Sequence, residues 1–180
     1  RDVWERKGRT TQVVLSISIG IIAIGLTVGM RDSSKATVST TTSTARLPAI
    51  EVGVGPGVTN KTIKAISRIP GVDAVEGSSY TSLQWKPDVD SQWHRAKLVM
   101  RSDYRHQQYE KLVLLYGAWP SNGGVVLESS SAKAFNISVG DTVYLEVSEK
   151  PKPVTITGII YDFTATPPKF GGDSVLFVTR

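Results

Sequence analysis

Hydrophobic and polar positions change period several times along this chain. From Val13 to Met30 the sequence reads VVLSISIGIIAIGLTVGM, eighteen consecutive residues without a charge. As a helix such a run rises roughly 27 Å, near the thickness of a hydrocarbon core. Its only polar side chains, Ser16, Ser18 and Thr27, can bond back to the helix's own carbonyls and so cost little in lipid. A buried helix of a soluble protein would show a polar stripe. A cleaved leader would have a shorter apolar stretch followed by a small-x-small site, where Arg31-Asp32 stands. Residues 13–30 are therefore predicted to span a membrane.

The pattern then turns polar. Thr37 to Thr44 is a low-complexity Ser/Thr run, read as a stalk or tether; its composition also suits an extended strand. From Leu47 onward the periods are those of a globular domain. Ala49–Val54 is predicted as a strand. Thr59 or Asn60 caps a helix bearing Ile63, Ile66 and Ile69, stopped by Pro70-Gly71, and Val72–Val75 begins another strand. Ala96, Leu98 and Met100 alternate with Lys97, Val99 and Arg101 as a half-buried strand. Tyr104–Leu115 is read as helical, with an ambiguous apolar tail from Leu112 to Leu115. Beyond Gly117 come a strand at Val125–Leu127, a short helix at Ser129–Phe135 and a turn at Gly140-Asp141. Two alternating strands, Val143–Val147 and Val154–Ile160, form an antiparallel pair joined by Glu149–Pro153, and a last strand covers Val175–Val178. The fold class is α+β: an N-terminal transmembrane helix, then an extracytoplasmic domain with a βαβ-like part and a strand-rich part. The predicted divisions are a juxtamembrane segment over 1–12, the span over 13–30, a stalk or linker over 31–46 and the extracytoplasmic domain over 47–180.

Charge orients this arrangement. Residues 1–12 hold Arg1, Arg6, Lys7 and Arg9 against Asp2 and Glu5, a net of +2, which places the head on the cytoplasmic side and residues 31–180 outside. Val3 and Trp4 suit a short interfacial helix there. The remaining +3 of the chain's net +5 is spread over residues 31–180. There are no basic clusters interleaved with aromatics, so no nucleic-acid partner is expected despite a pI near 9.5. The chain has no cysteine, which suits a bacterial envelope protein better than a small disulfide-stapled ectodomain.

The span carries a second pattern. At 100° per residue, Ser16, Gly20, Ala23 and Thr27 share one narrow face, while Ser18, Gly25 and Gly29 share the opposite one. Small residues let helix backbones approach closely in lipid, and Gly25-x-x-x-Gly29 is the strict GxxxG form. Two opposed small faces suit a helix wedged between neighbours. Ser16, Gly20, Ala23, Thr27, Gly25 and Gly29 are the helix-packing candidates.

Chemical motifs are sparse. Gly53-Val-Gly55-Pro-Gly57 resembles a dinucleotide loop, but the third glycine of the fingerprint is replaced by Val58. No GxxxxGK[ST] occurs, so ATP hydrolysis is not expected of this chain. Ser130-Ser131-Ala132-Lys133 has the serine-x-x-lysine spacing of penicillin-recognising enzymes without their companion motifs; it reads as a helix start capped by Ser129 or Ser130. His94 and His106 have no HExxH setting or carboxylate cluster. Asp88, Asp90 and Asp103 read as loop or cap residues, and Trp85, Trp93 and Trp119 as core or contact residues. No catalytic, cofactor-binding or metal-binding residue is proposed, and no cofactor is expected.

With these residues in view, the chain resembles the FtsX-like, MacB-type permeases of ABC transporters. Arg9-Thr10, Leu15-Ser16-Ile17 and Ile19-Gly20 match the start of the family's first membrane helix. Ile69-Pro70-Gly71-Val72, Gly117-Ala118-Trp119-Pro120, Val125-Val126-Leu127-Glu128, Val139-Gly140-Asp141-Thr142-Val143 and Ile156-Thr157-Gly158-Ile159 match elements of its extracytoplasmic core domain, in the family's order. The likeness covers most of the chain except roughly Ser79 to Tyr104. It implies a bacterial inner-membrane permease subunit with four membrane helices, in contact with lipid, working as a homodimer or heterodimer with a separate ABC ATPase. It further implies that motion passes through a helical stalk to the external domain, and it brings no catalytic residue. Since one apolar segment is present and the chain ends inside the external domain, a fragment of a longer product is expected. Two other readings stand beside this one: a single-pass anchored binding or adaptor protein, and an exported enzyme with a cleaved leader.

Overall fold

Most of the long alternating and apolar runs make the element their period dictates. The computed structural model describes residues 7–55, 59–121 and 123–179, with the side chains of residues 7 and 35–42 left out. Contacts divide the chain into two bodies, Arg1–Thr44 and Ala45–Arg180. The first is one long helix, α1, Lys7–Ala45. Its stretch Gly8–Ser34 is long and apolar enough to cross a membrane. The Ser/Thr run read as a tether or strand is helical and continues α1 to Ala45. One hydroxyl of the span behaves as expected in lipid: Thr27 Oγ1 donates to the Ala23 carbonyl at 2.8 Å.

The second body is strand-rich. Its elements are α2 (Asn60–Ile66), β1 (Ser79–Lys86), β2 (His94–Arg101), β3 (Val113–Gly117), β4 (Val125–Glu128), α3 (Ser129–Phe135), β5 (Thr142–Val147), β6 (Lys150–Tyr161) and β7 (Ser174–Thr179), with a 3₁₀ turn at Pro168–Phe170. β1 pairs with β2 and with β5, β2 with β7, β7 with β4, β4 with β6, and β6 with β5. That circuit is closed, so six strands form a barrel; β3 adds to β6 beside β5. The β2–β7 and β4–β6 pairs are parallel. The βαβ-type crossover therefore lies at β4–α3–β5–β6, later than the sequence pattern placed it.

The barrel interior follows from alternation. Trp85 of β1, Ala96 of β2, Leu127 of β4, Leu145 of β5, Ile156 of β6 and Leu176 of β7 all point inward and are buried. Each such large side chain contributes roughly 1.5–3 kcal/mol on burial. α3 adds Ala132 and Phe135, the latter with its ring edge-on to Trp85 at 5.1 Å. A second core lies outside the barrel wall: Val126, Ile160 and Phe177 from the opposite strand faces meet Tyr104 and Leu112.

Several local expectations are overturned. Residues 49–54 and 72–75 form no strand; among the described residues they join no strand ladder, and Ile50 and Val52 stay 79% and 69% exposed. Alternation alone does not make a strand without an edge to join. Residues 104–112 are irregular, not helical, and the tail becomes β3. Side chains compete for the backbone there: Asp103 accepts from the Arg105 N–H, Gln107 binds Tyr104 O and the Leu112 N–H, and Glu110 is left-handed at φ 43. The β5–β6 connection is the two-residue turn Ser148-Glu149, both at positive φ, and β6 already begins at Lys150. β1, in the stretch without family likeness, pairs with β2 from Ser79 to Trp85.

Candidate functional site

The most interconnected polar group of the second body surrounds Arg101, the last residue of β2. Alternation puts Lys97, Val99 and Arg101 on the outer face of the barrel, where polarity predicts exposure. Lys97 is exposed and holds its Nζ 4.4 Å from the Tyr80 ring centroid. Arg101 is instead buried, 4% exposed. Its guanidinium donates to Glu76 Oε1 at 3.3 Å, Glu110 Oε2 at 2.8 Å and the Tyr109 carbonyl at 3.1 Å. Glu76 Oε2 in turn accepts from the N–H groups of Gln108 and Tyr109 at 2.8 and 3.0 Å. The Tyr109 hydroxyl donates to the Ala74 carbonyl at 3.3 Å. These bonds fasten residues 103–112, a strap without regular structure, over the outer core. A buried cation needs such partners, because leaving it bare costs several kcal/mol.

Beside the strap lies a cleft of about 280 Å³ that includes Glu51, Tyr80, Lys97, Arg101, Asp162 and Asp173 in its lining. Its charges are mixed: Asp173 pairs with Arg95 at 3.3 Å, and Asp162 accepts from the N–H and hydroxyl of Thr164. Among the described residues no group of three or more His, Asp or Glu side chains could hold a metal ion.

The residues singled out by sequence are scattered, and the structure brings few of them together. Ser130 and Lys133 lie on α3, whose N-cap is Glu128, not Ser129 or Ser130. The buried Glu128 carboxylate accepts from the Ser130 and Ser131 N–H groups and from the Ser129 and Ser130 hydroxyls. A carboxylate offers four lone pairs to the orphan donors of a helix start, where a hydroxyl offers two. His94 lies against Phe135 at 4.6 Å. His106 is exposed and sits 2.6 Å from Asp103, and this hydrogen bond holds the Asp103 carboxyl below its ordinary pKa. Trp85 is core, Trp119 stacks on Tyr104 and Trp93 lies under the Lys86 ammonium at 5.0 Å. The glycine-rich loop over 53–57 falls partly outside the described residues, as do Val3 and Trp4. Thr59 is the N-cap of α2. Of the helix-packing candidates, Gly20, Gly25 and Gly29 have no atom beyond their own stretch of helix within 4 Å of where a Cβ would stand. Sequence reasoning missed Glu76, Arg101 and Glu110; a basic residue in phase with Lys97 carries no sign of its burial.

Residues 10–179 match the family of MacB-like periplasmic core domains. The chain belongs to that family. The MacB-type resemblance read from the sequence is thereby borne out, and so is its α+β class with a leading apolar helix. No curated protein matches the MacB-like chain. Among solved structures it is similar to the extracellular domain of the ABC-type transporter YknZ from Gram-positive bacteria, at 15% identity and TM-score 0.45 over 69% of this chain and 64% of that domain. A domain assigned to a permease protein from Porphyromonas gingivalis aligns at 20% identity and TM-score 0.41, over 64% of this chain and 55% of that one. The chain thus spans just under two thirds of the YknZ domain.

Proposed function

We propose that this chain is part of the permease component of an ABC transporter. In this reading α1 crosses the membrane as the first of several helices, with its basic head in the cytoplasm and the barrel outside. A separate ATPase subunit supplies the work. The chain's own task is mechanical: it carries motion along α1 to the extracytoplasmic domain, for export or for mechanotransmission. Ser16, Gly20, Ala23, Thr27, Gly25 and Gly29 would seat α1 against neighbouring helices of a dimer. One observation carries the proposal: the family match runs without a break through an apolar helix and a folded barrel, from residue 10 to residue 179. The charge balance of residues 1–12 supports the orientation.

Purification of the tagged full-length gene product from its native membranes tests this. ATP hydrolysis is expected to follow the tag. An anchored binding or adaptor protein would bring down none. In intact cells an impermeant maleimide is expected to label Lys152→Cys, and Gln12→Cys only after permeabilisation; the reverse pattern would invert the topology.

A further inference from the structure

The chain enters the barrel body at Ala45 and Arg46. Ala45 is 1% exposed, and Arg46 breaks the helix with a left-handed φ of 50. Both are bound at once to the strap. Lys111 N–H donates to the Ala45 carbonyl at 2.8 Å, Glu110 N–H donates to the Arg46 carbonyl at 3.3 Å, and the Arg46 guanidinium stands 5.7 Å from the Tyr109 ring centroid. Of the strap residues that receive this pairing, Tyr109 and Glu110 are bound by Arg101, and Glu76 holds the N–H groups of Gln108 and Tyr109; Lys111 follows directly in the chain. Arg101 in turn ends β2, a strand held on both sides by β1 and β7.

The covalent route between the same points is long by comparison. From residue 47 the described residues, apart from the short α2, have irregular backbone until the first barrel strand begins at Ser79. A displacement at Ala45 has a shorter route. Through the strap it meets two backbone hydrogen bonds and then a buried ion-paired guanidinium, and charge-assisted hydrogen bonds of this kind are the strong ones. We infer that Arg101, held between Glu76 and Glu110, is the joint through which movement of the chain at Ala45–Arg46 reaches the barrel. Arg101 and Glu76 are positioning residues, and the use of the joint rests on the mechanical function proposed above.

Two measurements on the full protein separate the joint from that function. The first is amide exchange on the protein in lipid nanodiscs without any ATPase. Arg101→Gln and Glu76→Gln are each expected to speed exchange at Glu110 and Lys111 at least tenfold, while Val126 and Leu127 of β4 stay protected. Unchanged exchange at 110 and 111 overturns the joint. Should Arg101→Gln not fold, Glu76→Gln, which keeps the side-chain shape and removes one charge, carries the same test. The second measurement places spin labels at Arg31→Cys and Lys152→Cys in the complex with the co-purified ATPase. ATP is expected to shift the distance between the labels, and each variant to lose at least half of that shift. Variants that keep the full shift overturn the inference. A parent protein that shows no shift overturns the mechanical function itself and leaves the exchange result standing.

Discussion

Tyr104 shows how far one side chain can be committed by its surroundings. Its ring lies in the outer core, near parallel to Trp119 and edge-on to Phe177. Its hydroxyl lies 3.1 Å from the Val99 carbonyl and 3.0 Å from that of Val178, two acceptors on paired strands. Burial pushes its pKa from the usual 10 up to about 12, against a smaller opposing pull from the Arg101 charge. An unfolded chain releases this proton near pH 10, while the folded one keeps it to about 12. Between those values the folded state binds more protons, so stability falls as pH rises, and the contribution is complete only below 10. Tyr104→Phe is expected to cost about 1 kcal/mol near pH 8, the net worth of one hydrogen bond. That cost is expected to vanish by about pH 12, as the parent loses what the variant never had. Urea melts of both proteins across this range check it; a constant difference would mean that Tyr104 ionises like a free phenol.

At the scale of elements, two glycines decide where β3 can lie. A Cβ on Gly158 would stand 2.3 Å from the Ala118 carbonyl oxygen, and one on Gly117, at φ +76, would stand 2.3 Å from that of Thr157. The β3 and β6 backbones approach this closely because neither residue has a side chain there. Gly158→Ala is expected to destabilise the protein by about 1–3 kcal/mol, the usual cost of an overpacked site. It should speed amide exchange across Val113–Gly117 while β1 and β2 stay protected; equal acceleration everywhere would place the loss elsewhere. Both glycines sit in strings that the sequence ties to the family, yet nothing in a string says that the reason is close backbone contact. The same divide runs through the rest of the fold. Val143, Leu145 and Val147 announce β5 because one of its faces is core and the other is not. Ser79–Lys86, reading SYTSLQWK, hides β1 because only its last two residues are buried. Tyr104–Leu115 looked helical because its apolar residues are local, whereas the bonds that shape it reach 32 and 33 positions away to Glu76. The candidate site was the least legible part for the same reason: Arg101, Glu76 and Glu110 come together only through the strap.

For the whole molecule, the open question is what α1 packs against. Its small residues divide between two opposed faces, and Thr27, on one of them, already engages its hydroxyl with Ala23. If α1 lies in lipid as proposed, such a face gains from close van der Waals contact with another helix. Under the permease proposal the two faces meet two neighbours. Gly25→Leu with Gly29→Leu is expected to lower assembly in native membranes several-fold, read as cross-linking yield of the full protein with its neighbours. Gly20→Leu is expected to lower it independently through the other face, with the three changes combined near additive in free energy because the faces share no partner. Val28→Leu, on the flank between them, serves as the control and should leave the yield unchanged. Because both cores of the barrel body are built from residues 83–178, its thermal melting should not follow the cross-linking yield in any of these variants. If neither glycine face matters, α1 is a solitary anchor, and the adaptor reading gains what the permease reading loses.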